Sequence, residues 1–525
     1  MAIMYQSRPS KLSLAVATAP TTTQYIVGDT LNLSGLVVTA TRRDGIPVDV
    51  TSQCTFSPAN GSVLSSSGTK TITITYQGKS ITTTVSVYAL SRIAVTTAPT
   101  KTSYNVGDTI SYSGMVVKAY ANNDNIVRTV TSECTKSPAN GTTLSSIGSF
   151  SATISWRTKS TTQSYSVTAK IYGVQWSGGS SSAWTRTDDA SSFGAPSPAV
   201  NNGNGSSPFD NILPWSGMKR VTDGYNTLVE IPKFYYKWTR SGSTMKLQIS
   251  TSPLSGYYVS PAHANRGDGK GERDKVYVGA YHCGSGNSSV YRYTSRSGAT
   301  PINDVTRATA RTNIHSYLGT TYWQWDFAML WTIRMLYLVE YADWNSQEKI
   351  GYGCGDSTTS VTGKTDAMTY HTGTNAPNRA TCGHVRYRYI ENLWANFFTA
   401  VDGIYFAGNN NVGVYIIKNP ANFSDDSNGT LVANRPLTNG RINSFSTSSV
   451  FGLEYAIYPN SVTSGGDMSQ YVCDICNNNS DGQIMLCGGG TANVSTNTLY
   501  PGLFQHGGTK TASNIDFGFR LMKLP

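Results

Sequence analysis

The residues of this 525-residue chain best suited to chemistry are its eight cysteines and six histidines, and their spacing points away from a reaction. "CDIC" makes Cys473 and Cys476 a lone C-x-x-C, with Cys487 further along. A structural zinc site wants a second pair at matching spacing, and Cys54, Cys134, Cys283, Cys354 and Cys382 supply none. Cys382, His384 ("TCGHV") and Cys487 meet only if the fold brings them together. Buried or loop thiols are the expectation, reduced because no export signal is read. His263, His282, His315, His371, His384 and His506 show no H-x-x-x-H or catalytic spacing, and no Gly-rich phosphate loop occurs. "RGDGKGERD" (266–274) has the letters of an integrin-type RGD and of a carboxylate loop for Ca²⁺. The expected form is a tight turn with Asp268, Glu272 and Asp274 in solvent. No metal, cofactor or enzyme activity is expected.

The elements that must hold such residues are mostly strands. Hydrophobic residues make up 38% and charged residues 14%, with 50 Gly and 32 Tyr, a β-rich and loop-rich composition. No run of about 18 apolar residues occurs, so no membrane-spanning helix is expected. The N-terminus lacks the apolar core of a signal peptide. Net charge is +11, but residues 1–172 hold 14 Lys+Arg against 6 Asp+Glu, and 173–525 hold 27 against 24. The excess is spread among strand-like segments. That suits an acidic neighbour, another subunit or a cell-surface polymer, and disfavours nucleic acid.

"YIVGDTLNLSGLVVTA" from Tyr25 recurs as "YNVGDTISYSGMVVKA" from Tyr104, and "VTSQCTFSPANG" from Val50 recurs as "VTSECTKSPANG" from Val130. Alternating runs broken by Gly, Asp and Asn predict hairpins, and about seven short strands per copy predict two β-sandwiches. The expected organisation is an N-terminal segment (1–10), sandwiches over 11–90 and 91–172, a Gly/Ser/Asn/Pro linker and domain start (173–210), and a C-terminal domain (211–525). Within the last, "NDVTRATARTNIHSYLG" and "WDFAMLWTIRMLYLVEYADWN" predict two helices, the second largely buried. The fold class is multidomain: two all-β sandwiches, then an α+β domain.

The repeated "Y-x-V-G-D…SG[LM]VV" blocks resemble bacterial immunoglobulin-like domains, which implies spacing and docking. The blocks "SSPFDNILPWSGMKRV", "VEIPKFYYKW", "KVYVGAY", "RMLYLVEYADWNSQEKIG" and the closing "CGGG…GLF…DFGFRL" resemble the C-type-lectin fold of the formylglycine-generating-enzyme type. They are most similar to bacteriophage receptor-binding tail proteins with that fold, the group of the major tropism determinant and of diversity-generating-retroelement variable proteins. The resemblance implies a virion protein made in the host cytoplasm, a homotrimer that meets other tail proteins and a bacterial surface protein or glycan. A bacterial surface adhesin with immunoglobulin-like spacers is the alternative. An oxidase is a lesser one, since "CGGG" stands where the "RGGSW"-like block would be. Calcium-dependent sugar motifs ("EPN", "QPD", "WND") are absent.

In that family the C-terminal segment, here 473–516, crosses the ligand face between apolar stops. Leu503, Phe504, Phe517, Phe519 and Leu521 are the expected anchors. Burying each contributes roughly 1.5–3 kcal/mol, against about 1–2 kcal/mol to order each connecting residue. Expected receptor contacts are Asn477, Asn478, Asn479, Thr491, Asn493, Ser495, Asn497, Leu499, Tyr500, Gln505, His506, Thr509, Lys510, Ala512 and Ser513. Their amides, hydroxyls and aromatic ring form the palette of a paratope. Gly488–Gly490 and Gly507–Gly508 are expected to supply unusual turn angles.

Overall fold

A computed structural model describes residues 12–525 apart from 43–44, 124–125, 286–291, 354–359, 379–382, 395, 408–411, 426–428, 447–457, 464–473, 479–483, 489–501, 505 and 510–516. The chain divides into two compact units, Met1–Thr168 and Ala169–Pro525.

In the first unit, alternation in sequence becomes alternation in burial. Gly68–Tyr76 turns Ile72, Ile74 and Tyr76 inward and pairs residue for residue with Lys79–Tyr88. Gln77 and Gly78 form the two-residue turn between them, both with positive φ (46° and 75°), as a hairpin of right-handed twist requires. With Gln24–Ile26 and Thr55–Ser57 these strands make a four-stranded sheet; Ser13–Thr18, Val37–Thr41 and Pro47–Asp49 make a three-stranded one. The second repeat builds the same sheets from Ser103–Asn105, Lys159–Thr168, Gly148–Trp156 and Thr135–Ser137, and from Leu90–Thr97, Val116–Ala121 and Val127–Thr129. Each sandwich therefore has seven strands, as the sequence predicts.

The recurring "Y-x-V-G-D" has a physical reason. The Tyr25 hydroxyl donates to the Asn32 carbonyl (2.9 Å) and accepts from its N–H (3.0 Å), and Tyr104 does the same with Ser111 (3.1 and 2.9 Å). Asp29 and Asp108 each accept a backbone N–H three residues back, from Ile26 and Asn105. Asp29 has a further use. Its other oxygen accepts from Arg157 (2.7 Å) and Arg128 (2.9 Å) of the second repeat, while Arg157 also donates to the Val27 carbonyl. Gly28 lies under the Arg157 guanidinium, where a Cβ would crowd it.

In the second unit the helices fall where periodicity places them. α1 (Arg307–Leu318) starts at Thr306, whose side chain accepts from the Thr309 N–H, and stops at Gly319 with φ 91°. α2 (Phe327–Tyr341) starts at Asp326, which accepts from Met329 N–H, and all its residues are buried. A short α3 (Ser346–Lys349) follows. Around α2 lie three main sheets. One runs Trp184–Asp188, Tyr172–Trp176, Thr244–Ser250, Tyr235–Ser241, Tyr258–Val259. A second has the path Lys219–Asp223, Asn226–Pro232, Lys275–Ser285, Arg520–Lys523, Tyr322–Gln324, so the terminal strand is interior. The third has Phe398–Phe406 flanked by Gly413–Ile416 and Ile484–Cys487, and continues through His506–Thr509 to Ile475–Asn478.

Two expected boundaries move. Tyr172 belongs to the C-terminal unit, paired with Ile249 and Asp188. The stretch over 173–210, expected as linker and domain start, folds into that unit: Trp176 and Trp184 pack on Trp344 at 5.7 and 5.1 Å. Its Gly/Ser-rich composition conceals two tryptophans and Phe209 that bury large areas.

Asp29→Ala should widen the distribution of angles between the two sandwiches in solution scattering while leaving the melting of each nearly unchanged. Hydrogen bonds to charged groups contribute about 1.5–3 kcal/mol, less where Arg128 is 39% exposed. Identical scattering would rule out the latch.

Candidate functional site

The C-terminal ribbon is held by α2. The helix is apolar on nearly every face, yet carries Arg334 and Glu340 with no exposure. Each buried charge needs partners. Glu340 accepts from Arg388 (2.6 and 2.9 Å), the Tyr387 hydroxyl (3.0 Å) and the Ser207 hydroxyl (2.8 Å). Arg334 reaches the ribbon: its Nε donates to the Leu503 carbonyl (2.9 Å) and its Nη1 to His506 Nε2 (3.0 Å). The Leu503 N–H donates to Ser346 Oγ (2.9 Å) and the Phe504 N–H to the buried Asp474 carboxylate (2.7 Å). The Phe504 ring stands edge-on to Trp344 at 4.8 Å and lies 5.3 Å from the Arg334 guanidinium. Two residues are thus fixed by three side chains and an aromatic wall.

The remaining margins are fixed by pairing. Ile484–Cys487 pairs with Phe398–Phe406, and Gly488 leaves that strand with φ 64°, so close to the Leu393 carbonyl that a Cβ would collide. His506–Thr509 lies between Ile484–Cys487 (antiparallel) and Ile475–Asn478 (parallel). Phe517–Gly518 pairs parallel to Phe398–Phe406, and Arg520–Lys523 pairs on both sides. Leu503, Phe504, Phe519 and Leu521 are buried as expected, and Phe517 is half-buried.

Of the expected contacts, Asn477, Asn478 and Thr509 have their backbones in this pairing. Asn479, Thr491, Asn493, Ser495, Asn497, Leu499, Tyr500, Gln505, Lys510, Ala512 and Ser513 lie outside the described residues. His506 is a correction: it is fully buried against Tyr458 (4.8 Å) and cannot touch a receptor. The reason is Arg334, which needs an acceptor inside the core. Gly507 and Gly508 are corrected as well, since they sit in a paired strand instead of a turn. Sequence reading passed over Arg334, Ser346 and Asp474. A lone arginine in "WTIRMLYL" was the available signal, because a charge in an all-apolar helix implies a buried partner elsewhere.

Of the other chemical candidates, Cys354, Cys382 and Cys473 lie outside the described residues. Cys476 and Cys487 are buried thiols, and burial pushes the Cys487 thiol up to about 12. Arg266 of the RGD letters is buried in an ion pair with Asp326, Asp268 pairs with Arg273, and Asp274 is solvent-exposed beside Lys233 (2.7 Å). Among the described residues no group of His, Cys, Asp and Glu is arranged to hold a metal, and no helix is long and apolar enough to cross a membrane.

Residues 18–87 match the model of the bacterial Ig-like domain (group 3). The second sandwich repeats the first in sequence and strand order, so the class defined here is a β-rich multidomain protein with bacterial immunoglobulin-like repeats. No curated protein matches the chain. Among solved structures, domains 4 and 5 of the S-layer protein SbsC are 20% identical over 30% of this chain and 98% of theirs, TM-score 0.16. Domains 5–6 of SbsC are 17% identical over 30% and 99%, TM-score 0.12. The titin I-band fragment I67–I69 is 9% identical over 47% and 92%, TM-score 0.14. TM-scores this low carry no argument; the sandwich assignment stands on strand pairing and the family match.

Burial holds the imidazoles of His506 and His282 well below their ordinary value, with Arg334 and Arg520 respectively adding to it, and burial lowers His263 to about 4. These groups are neutral when folded and take up protons near 6.5 when unfolded, so their share of stability is complete above that pH and is lost as pH falls below it, for His263 down to about 4. The slope should reach roughly 1 kcal/mol per pH unit for each histidine. Denaturant titration at pH 7, 6 and 5 reads it, with His506→Asn removing one share; a flat profile would refute the assignment.

Proposed function

We propose that the protein is a receptor-binding adhesin carried on a bacteriophage tail, with a C-type-lectin-like C-terminal domain that grips a bacterial surface receptor without making or breaking bonds. The observation that carries this reading is the double clamp on the ribbon. The described residues on either side of 489–501, Ile484–Cys487 and Leu503–Phe504, are held by pairing and by buried side chains, and those on either side of 510–516, His506–Thr509 and Phe517–Gly518, by pairing. A segment whose ends are fixed by buried groups need not stabilise the fold itself, which leaves its sequence free to follow a partner, including by retroelement diversification of the gene. The closed, high-pKa Cys487 and the buried Cys476 support binding over oxidase chemistry, which needs an accessible thiolate. The immunoglobulin-like repeats serve as spacer and docking modules. A homotrimer on the particle raises avidity: a single site of about 10 µM supplies only roughly 7 kcal/mol, and several together gain about 10²–10⁴.

A second reading, a bacterial surface adhesin, is favoured by the family match, because that domain family is bacterial. Localisation separates the two: the phage reading expects the protein in purified virions, the other in an envelope fraction free of tail proteins. For the binding itself, replacing Asn493, Asn497 and Tyr500 together by Ala should leave the melting temperature unchanged and abolish adsorption to host cells. Normal adsorption, or a large fall in melting temperature, would defeat the ribbon as the contact surface.

A further inference from the structure

Away from the ribbon, the C-terminal unit has a cleft of about 440 Å³ between the tip of the Lys219–Asp223/Asn226–Pro232 hairpin and the end of α1. The hairpin turns through two residues, Gly224 (φ 59°) and Tyr225. Glycine with positive φ at the first position is the II′ arrangement, and it leaves Tyr225 at the tip, 59% exposed. Across the cleft, Tyr317 extends the buried Ala310–Ile314 face of α1 past the rim of the core. Its ring stacks on Tyr293 (6.1 Å, 17°) and the residue remains 45% exposed.

The polar lining is fixed by its own bonds. Asp223 accepts from the Tyr322 hydroxyl and from Lys523. Asn226 donates to that hydroxyl (3.4 Å) and accepts from the Ser295 N–H (2.9 Å). Lys523 comes from the terminal strand and Tyr322 from the strand after α1, so the polar groups are set by the sheet and do not rearrange to meet a ligand. Exposed aromatic rings beside a preorganised carboxylate, in a cleft within the roughly 300–1,000 Å³ span of small-ligand sites, suit a sugar. The rings stack on the C–H face of a pyranose, and the Asp223 carboxylate, 39% exposed and held in place by Lys523 and Tyr322, accepts from its hydroxyls. The Asp223 charge is already met by Lys523, which suits an uncharged sugar better than an ionic group.

We propose that this cleft is a saccharide-binding site for a neutral pyranose of a bacterial surface glycan, separate from the ribbon; the proposal deepens the adhesin reading and rests on it. The full chain should bind printed bacterial surface oligosaccharides on an array. Tyr225→Ala and Tyr317→Ala should each weaken that binding by at least about tenfold, with Tyr225→Phe retaining it because the stacking face is kept. Tyr225 is 59% exposed and Tyr317 45%, so the alanine variants should stay folded at the assay temperature, with Tyr317→Ala losing a few degrees of melting temperature with its Tyr293 stack. The Asn493, Asn497 and Tyr500 triple variant should still bind the array, which separates failure of the ribbon reading from failure of this one. Absence of array binding by the unaltered chain, or undiminished binding by both alanine variants, overturns the proposal. So does array binding lost in the triple variant.

Discussion

A positive charge sealed inside an apolar helix has to be met by something, and in this protein that requirement organises the C-terminal unit. Arg334 has no exposure and its burial lowers it to about 10, still charged at neutral pH. The Leu503 carbonyl and His506 meet it, so the polar C-terminal stretch must return to the core at that point. Glu340, less than two turns further along, fixes Arg388 and Tyr387 in the same way. Asp326 at the helix start takes Arg266. One helix thus ties three distant segments through charges that would be costly alone, and hydrophobic burial of its remaining faces supplies the stabilisation.

The first unit solves a different problem with repetition. Each sandwich has a core, with Ile26 of the first packed into the core of the second, and a tyrosine hydroxyl and an aspartate repeat the same backbone bonds in both copies. The copies diverge where they meet. Arg157 stands at the turn position that Gln77 holds in the first repeat, and Arg128 corresponds to Val48. These two arginines convert a local cap at Asp29 into a joint.

Much of this is legible in sequence because it depends on local periodicity. Period-two runs, Gly-containing turns and a 12-residue amphipathic segment specify the seven-strand sandwiches and α1 without reference to distant residues. The stops Leu503, Phe504, Phe519 and Leu521 are legible from hydrophobicity alone. What is not legible is pairing across the chain. His506 reads as a polar loop residue because its partner Arg334 is far away in sequence, and Tyr225 and Tyr317 look unrelated until α1 and a hairpin tip face each other. The 173–210 stretch misleads for a compositional reason: serine and glycine dominate the average, while a few aromatic rings decide the packing.

The interior position of Arg520–Lys523 bears on biosynthesis. That strand pairs with Lys275–Ser285 on one side and Tyr322–Gln324 on the other, so the sheet stays split until residue 523 has left the ribosome. Without it, Lys275–Ser285 and Tyr322–Gln324 would lose the partner they share and present open strand edges.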